Sequence, residues 1–369
     1  MKIKAGRIIT NHGMYLRGRP VGISTTSFEY TNEEREYVIY YCQAIWRDVM
    51  EKVGNPNFTG IIRFDLIPCF VHESGDDFGL RLNGLYEINT ASPECAAAFA
   101  AVNALVKGVK QADIFSRLVK RIQCIFGNRK IYFLMSDRNA LIKSLWGGIY
   151  LRSLQDAGLN IVSISTKDVI KKSPRLIWRW GDIRENGESQ YSPDVTQWLW
   201  EHSQKEHVEI FNTILPDNKD PGRKNLLLKS KVPIMREIYG NNEPLNFKGH
   251  SEIPKWNWAV ENKDKLVLKP DGGCSGANIF FGEYHNEIAW LKILKNCNHR
   301  GYSLWELKPL SETRLCGQSY AIDLNPAFFA HDDKLYYLYT ICRIGSFQNY
   351  QKNKTMNVAK GAGMTLAFI

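Results

Sequence analysis

The 369-residue chain contains no Cys-x-x-Cys pair, and its eight cysteines fall at no regular spacing. That excludes a zinc ribbon and argues against a disulfide framework, so reduced thiols and a cytoplasmic location are expected. No apolar run reaches the ~18 residues that read as a membrane span. The longest, Cys95 to Val106, is interrupted by Asn103. Met1 to Thr10 has neither an apolar core nor a small-residue cleavage site, so no secretory signal is expected there. Also missing are a Gly-x-Ser-x-Gly elbow, a Gly-x-Gly-x-x-Gly fingerprint, a Walker A loop, internal repeats and low-complexity tracts. Acidic excess is absent too, with 48 Lys and Arg against 38 Asp and Glu leaving +10. The basic residues form no tail; Lys171-Lys172 and Arg223-Lys224 are the densest pairs. Diffuse basicity suits a nucleotide or a small acidic substrate as well as nucleic acid.

What remains is the composition of a folded protein, 44% hydrophobic and 12% aromatic, in a chain too long for one ordinary core. Val38, Tyr41, Cys42, Ile45 and Val49 recur at helical spacing and predict a helix over Glu33 to Val53, stopped by Gly54. Extended runs follow at Gly60 to Val71 and Gly79 to Asn89, separated by the turn-rich segment from His72 to Asp77. Pro93 opens an alanine-rich helix. Strands at Lys130 to Met135, Asn160 to Ile164 and Arg175 to Arg179 then alternate with helices, which predicts a small parallel sheet. Further strands are predicted at Lys265 to Lys269, Tyr302 to Glu306, Gln318 to Asp323 and Lys334 to Arg343, with a helix near Asn286 to Lys295. The apolar end, Met364 to Ile369, should be anchored. The expected division is a first core part at 1–127, an inserted α/β domain at 128–215 and a second core part at 216–369.

Two segments carry the most chemistry. In Leu266-Val267-Leu268-Lys269-Pro270, an apolar strand ends in a lysine, and a loop of small residues follows, from Asp271 through Gly272, Gly273, Cys274, Ser275 and Gly276 to Asn278. Backbone N–H groups of such a loop can close on phosphate oxygens while the lysine neutralises them; an ordinary glycine hairpin is the plain alternative. In Tyr86-Glu87-Ile88-Asn89-Thr90-Ala91-Ser92, Glu87 and Asn89 share one strand face, a donor pair suited to Mg²⁺, or simply a polar strand edge capped by Ser92. Arg63 could clamp a carboxylate bidentately or pair with Asp65. Asp137, Arg138 and Asn139 end the first strand of the inserted domain, and Arg179 ends its third, where open α/β sheets bind ligands. Trp178 and Trp180 beside Arg179 read as packing. Asn357 to Met364 is a second small-residue loop. His202 and His207 stand five apart, which does not put both on one helical face, so they read as a solvated surface.

Taken in order from about Arg63 to Gly363, these motifs resemble the eukaryotic-type glutathione synthetase family, the circularly permuted branch of the ATP-grasp ligases. The resemblance implies an α/β (α+β) ATP-grasp fold with a small parallel-sheet substrate domain inserted. It assigns Glu87 and Asn89 to magnesium and Ser92 to a γ-glutamyl substrate. Lys269 and the loop Gly272-Gly273-Cys274-Ser275-Gly276 with Asn278 and Phe280 resemble the family's ATP loop. Trp305-Glu306-Leu307-Lys308 resembles its adenine hinge, and Asp323 and Lys224 match nucleotide contacts. Arg63, Asp137, Asn139, Lys143, Arg179, Asp182 and Arg343 fall where the family holds substrate, and Lys360 and Gly361 resemble the loop over the amine. Where the family has a third magnesium carboxylate the chain has Gly273, with Asp271 two residues away; a usual serine is Glu94 and a usual lysine is Gly345.

The implied reaction makes an amide from a carboxylate and an amine with ATP and Mg²⁺, through an acyl phosphate. Lys269, Arg343 and Arg63 would carry the catalysis. The implied partners are peptide or other small carboxylate and amine substrates and a second copy of the chain, with no membrane or nucleic acid. Two alternatives stay open: a ligase of this fold acting on another peptide, polyamine or natural-product precursor, and a non-catalytic nucleotide- or nucleic-acid-binding protein.

Overall fold

Short strands β1 (Lys2–Lys4), β2 (Ile8–Ile9), β3 (Gly22–Ser24) and β4 (Ser27–Glu29) lead to helix α1 (Asn32–Lys52). The helix starts where Thr31 and Glu34 cap one another. Glu34 N–H donates to Thr31 Oγ1 at 3.2 Å, and Thr31 N–H donates to Glu34 Oε2 at 2.9 Å. Its apolar stripe, Val38, Tyr41, Cys42, Ile45 and Val49, is buried as the spacing requires. The structure, a computed structural model, describes residues 1–9, 15–16, 19–20, 22–90, 100–104, 108, 110–135, 140–181, 183, 189, 191–216, 219–227, 253–270, 278–297, 302–354, 356 and 362–368. The helix predicted after Pro93 falls partly outside this set.

The two extended runs form an antiparallel hairpin, β5 (Thr59–Ser74) and β6 (Asp77–Asn89). Its ladder continues to the pair Ser74↔Asp77, so the expected six-residue turn shrinks to Gly75-Asp76, with Gly75 at φ +54°. Helix α2 (Gln111–Phe126) leads to the parallel unit. There β7 (Ile131–Met135), α3 (Ala140–Asp156), β8 (Ile161–Ile164), α4 (Thr166–Lys172), β9 (Leu176–Trp180), α5 (Pro193–Ser203) and β10 (Glu209–Phe211) follow in turn. The strand order is β8-β7-β9-β10, all parallel, with β10 added to the three strands the sequence predicts.

After α6 (Ile253–Glu261), β11 (Leu266–Pro270) pairs with both β12 (Phe280–Phe281) and, beyond α7 (Glu287–Cys297), β13 (Tyr302–Glu306). Then come β14 (Thr313–Leu315), β15 (Gln318–His331), β16 (Lys334–Ser346), α8 (Phe347–Asn353) and β17 (Gly363–Phe368). In the large sheet the pairings run β15-β5-β6-β1-β4-β17-β16 and return to β15, a closed circuit whose β1–β6 link is the single pair Lys2↔Asp77. The apolar end anticipated at Met364 is thereby anchored, between β16 and β4.

Strands β5, β15, β16 and β17 of this sheet present alternate residues to two cores. Phe64, Leu66, Leu324, Phe328, Cys342 and Ile344 pack toward α1. On the other face Ile61, Ala327, Phe329, Ile341 and Leu366 join an apolar cluster with Phe115, Tyr150, Trp178, Trp180 and Phe211 of α2 and the parallel unit. Trp178 lies stacked on Phe211 at 5.0 Å between centroids, so both tryptophans beside Arg179 are core residues. The six described cysteines are all free thiols. No described helix is long and apolar enough to cross a membrane.

Candidate active site

A polar band crosses the face of the large sheet that packs on the parallel unit. Along β5 that face reads Ile61, Arg63, Asp65, Ile67, and along β15 it reads Phe329, Ala327, Asn325, Asp323, Ala321. Ile61, Phe329 and Ala327 belong to one apolar cluster, Ile67 and Ala321 to another that includes Tyr350 and Met356. Charged side chains between two dry clusters must find partners at once, because burial without them is costly.

They do so across strands. Register places Arg63 opposite Asn89, Asp65 opposite Glu87, and Asp323 opposite Arg343. Arg63 grips Asp65 with Nε to Oδ1 at 2.7 Å and Nη2 to Oδ2 at 3.1 Å. Arg343 donates from Nη2 to Asp65 Oδ2 at 3.0 Å and from Nε to Asp323 Oδ2 at 2.8 Å. Asn89 Nδ2 donates to Asp65 Oδ1 at 3.2 Å, and Asn325 Nδ2 to Asp323 Oδ1 at 2.7 Å. Burial alone would raise the Asp65 carboxyl, but Arg63 and Arg343 together hold it below the ordinary carboxylate range. Asp323 is fully buried with one arginine only, and there burial prevails and leaves its carboxyl above that range. Burial opposes charge on Arg343 too; Asp323 and Asp65 outweigh it and fix the guanidinium as a cation.

Lys269 reaches this band from the smaller antiparallel sheet. It is the next-to-last residue of β11, opposite Ser303 and on the same face as the Val267↔Trp305 pair, and only 8% of it is exposed. Its Nζ donates to the carbonyl of Tyr86 at 3.3 Å and lies 4.7 Å from the Trp305 ring and 5.4 Å from the Tyr86 ring. Tyr86 immediately precedes Glu87, so the lysine is bonded to the strand that carries Glu87 and Asn89, 183 residues from its carbonyl partner in sequence. Phe280 lies in β12 opposite Leu268, and Asn278 before it holds φ +58°, a left-handed conformation asparagine tolerates. In the predicted hinge, Leu307 N–H donates to Lys265 O at 2.7 Å and extends the ladder past Glu306. Lys308 is half-buried, and desolvation lowers its ammonium below the ordinary lysine value, with Glu306 opposing.

Arg179 is not brought to the band. It is buried in the parallel unit, where Nε donates to Asn212 O at 3.0 Å and Nη1 to Gly181 O, while Asn212 Nδ2 donates to Arg179 O. Arg179→Met should leave those carbonyls unsatisfied and cost about 3 kcal/mol in urea denaturation; a cost under about 1 kcal/mol would free its guanidinium for substrate. His202 is likewise no solvated group: it is buried, stacked on Trp198 at 4.3 Å with Nε2 2.9 Å from Pro174 O. A cavity of about 590 Å³ lined by Arg129, Lys130, Arg175, His207 and Glu209 opens at the amino ends of the parallel strands. Ligands of open α/β sheets lie at the other ends.

Ser92, Asp137, Asn139, Asp182, Asp271, Gly272, Gly273, Cys274, Ser275, Gly276, Lys360 and Gly361 lie outside the described residues. Lys143 is on α3, and Lys224 opens a single 3-10 turn, Lys224–Leu227. Among the described residues no cluster of three or more His, Cys, Asp or Glu side chains could hold a metal. Glu87 and Asn89 fit a hard cation in part, as two oxygen donors on one strand face. Because Asn89 commits its nitrogen to Asp65, its oxygen is the atom left for the ligand role.

Sequence reasoning weighed Asp65 only as a partner for Arg63 and passed over Asn325 and Tyr86. Arg63-x-Asp65 and Asp323-x-Asn325, set in otherwise apolar strands, were the signal: a buried polar side chain in a strand is the informative exception.

No family model matches the chain, and no curated protein does. Among solved structures, a glutathione synthetase-like effector from Globodera pallida, in its apo form, is similar over 96% of this chain and 92% of that one, with 11% identity and a TM-score of 0.47. A Methylobacillus flagellatus KT protein named as a gamma-glutamylcysteine synthetase is similar over 82% of this chain and 78% of that one, with 10% identity and a TM-score of 0.36.

Proposed function

We propose that the chain is an ATP-dependent ligase that joins a carboxylate to an amine, with a γ-glutamyl peptide or similar small acid as donor and an amino acid as acceptor. The observation that carries this reading is the bond of Lys269 to the Tyr86 carbonyl, on the strand whose Glu87 and Asn89 stand opposite Asp65 and Arg63, with Arg343 bound to the same Asp65. Cations and oxygen donors brought close together are what phosphoryl transfer to a carboxylate needs, since positioning and charge neutralisation supply most of its catalysis.

A carboxylate is a poor electrophile toward an amine. Its oxygen first attacks the γ-phosphorus of ATP, the bond to ADP breaks, and an acyl phosphate forms. The amine nitrogen then attacks the acyl carbon, phosphate leaves, and the nitrogen gives up a proton. Arg63 and Arg343 would hold the donor; their planar forks match a carboxylate or phosphoryl group, as their grip on Asp65 and Asp323 illustrates. Lys269 would balance charge on the phosphates. Glu87 and the Asn89 oxygen would hold Mg²⁺ with Asp271 as the third donor, and the ion would neutralise phosphate oxygens. The loop after Lys269 would exclude water, and Lys360 with the Gly361 backbone would bind the acceptor carboxylate.

A panel of acid and amine pairs, scored for ADP release and for the mass of the amide, tests the assignment. ADP release that needs both substrates is expected. No ADP release with any pair, together with salt-sensitive binding to DNA or RNA, would turn the reading to a nucleic-acid-binding protein. Glu87→Gln should raise the Mg²⁺ concentration for half-maximal activity by roughly tenfold or more; an unchanged Mg²⁺ dependence removes Glu87 from the metal site.

A further inference from the structure

Asp65 has no substrate role in the reading above, yet it holds three of that reading's side chains at once. It is 2% exposed. Oδ1 accepts from Arg63 Nε and Asn89 Nδ2, and Oδ2 accepts from Arg63 Nη2 and Arg343 Nη2, at 2.7 to 3.2 Å. A carboxylate offers about four acceptor positions, so these four bonds leave none for a metal or a proton. The three donors come from β5, β6 and β16, and Arg343 on β16 stands 278 residues from Asp65 in sequence.

The consequence is sharpest at Asn89. The two ends of an amide have nearly the same shape, and only hydrogen bonding decides which faces where. Among the described residues the bond to Asp65 is the only one the Asn89 side chain makes. Arg63 depends on Asp65 in the same way, whereas Arg343 has Asp323 as well.

We infer that Asp65 is a positioning residue: it turns the Asn89 oxygen toward the metal and sets both guanidinium forks. The inference rests on the ligase reading and deepens it. It also accounts for an acid of this chain standing between two arginines that a substrate carboxylate would otherwise bridge.

The test is calorimetry of ATP binding by the full chain, once in EDTA and once in Mg²⁺, where the ratio of the two affinities isolates the metal. Asp65→Asn should cut that Mg²⁺ enhancement by about tenfold while metal-free ATP affinity stays at the wild-type value. Exchanging the pair, Asp65→Asn with Asn89→Asp, returns an amide-to-carboxylate bond with oxygen on the metal side, and the enhancement should recover. If Asp65→Asn does not fold, Asp65→Glu carries the test, because it keeps the charge between the arginines and displaces the acceptor from Asn89. A wild-type enhancement in Asp65→Asn or in Asp65→Glu overturns the inference. So does an equal loss of metal-free ATP binding, or an exchanged pair that recovers nothing. A wild-type chain that binds no ATP in either buffer ends the ligase reading, and this inference with it.

Discussion

Lys269→Ala is expected to lower ADP release at least about 100-fold, the scale set by removing one preorganised charge donor from a developing anion. The side chain is almost fully buried, held by the Tyr86 carbonyl and the faces of Trp305 and Tyr86, so its ammonium is already in position for the role proposed above. That preorganisation is what makes the effect large, since no reorientation is needed when charge develops. Losing the desolvated cation–π contacts costs about 2 kcal/mol of stability, a loss that thermal melting reads separately from the loss of chemistry. Lys269→Arg keeps the charge, but a planar fork does not fit where a compact ammonium sits, and activity should stay low. Undiminished ADP release from Lys269→Ala would remove this lysine from the reaction.

Arg343→Met has the largest expected effect on stability. The guanidinium stands between Asp323 and Asp65, and its loss leaves Asp323, among the described residues, with the Asn325 amide and the backbone N–H of residue 343 but no cation. Breaking a buried ion pair on one side costs about 3–5 kcal/mol at neutral pH. The cost depends on pH in a definite direction. Burial already raises the Asp323 carboxyl above its ordinary value, and removing the cation raises it further. A carboxyl whose folded pKa lies above its unfolded one gives stability below the unfolded value and loses it as pH rises through the folded value. The variant should therefore be less impaired at pH 5 than at pH 8. Asp65 opposes this weakly, because Arg63 still lowers it and its contribution fades only at more acid pH. Urea denaturation at the two pH values measures the difference; equal losses at both would mean that Asp323 is not the group left exposed to the interior.

Local pattern made much of this legible. Alternation gave the β5–β6 hairpin and put Glu87 and Asn89 on one face, and helical spacing gave α1. The strand that carries Lys269 was readable for the same reason, although it runs to Pro270. The failures have identifiable causes. β10 is three residues long, too short for a period to register. β15 was expected to stop at Asp323 but runs to His331 through Pro326, a residue that argues against a strand interior. The structure accommodates it at a gap: β15 pairs with β5 at Leu324 and again from Ala327, with Pro326 between. His202 looked like surface because the polar residues beside it hid the fact that its ring packs on Trp198. Above all, nothing along the chain states that Asp323 faces Arg343 or that Arg343 reaches Asp65. Register between distant strands is set by the whole sheet, so the individual charges were visible and their pairing was not.

The closed strand circuit has a consequence for the order of assembly. The parallel unit draws its four strands from one stretch of about 80 residues, so it can form while the ribosome is still at work. The circuit has to wait for β17, which lies between β16 and β4 and follows β4 by more than 300 residues. Loop closure over more than 300 residues makes this pairing a slow one. Until it is complete, the edges of β4 and β16 offer unpaired backbone to any neighbouring chain, and the nascent protein is most exposed to aggregation in that interval.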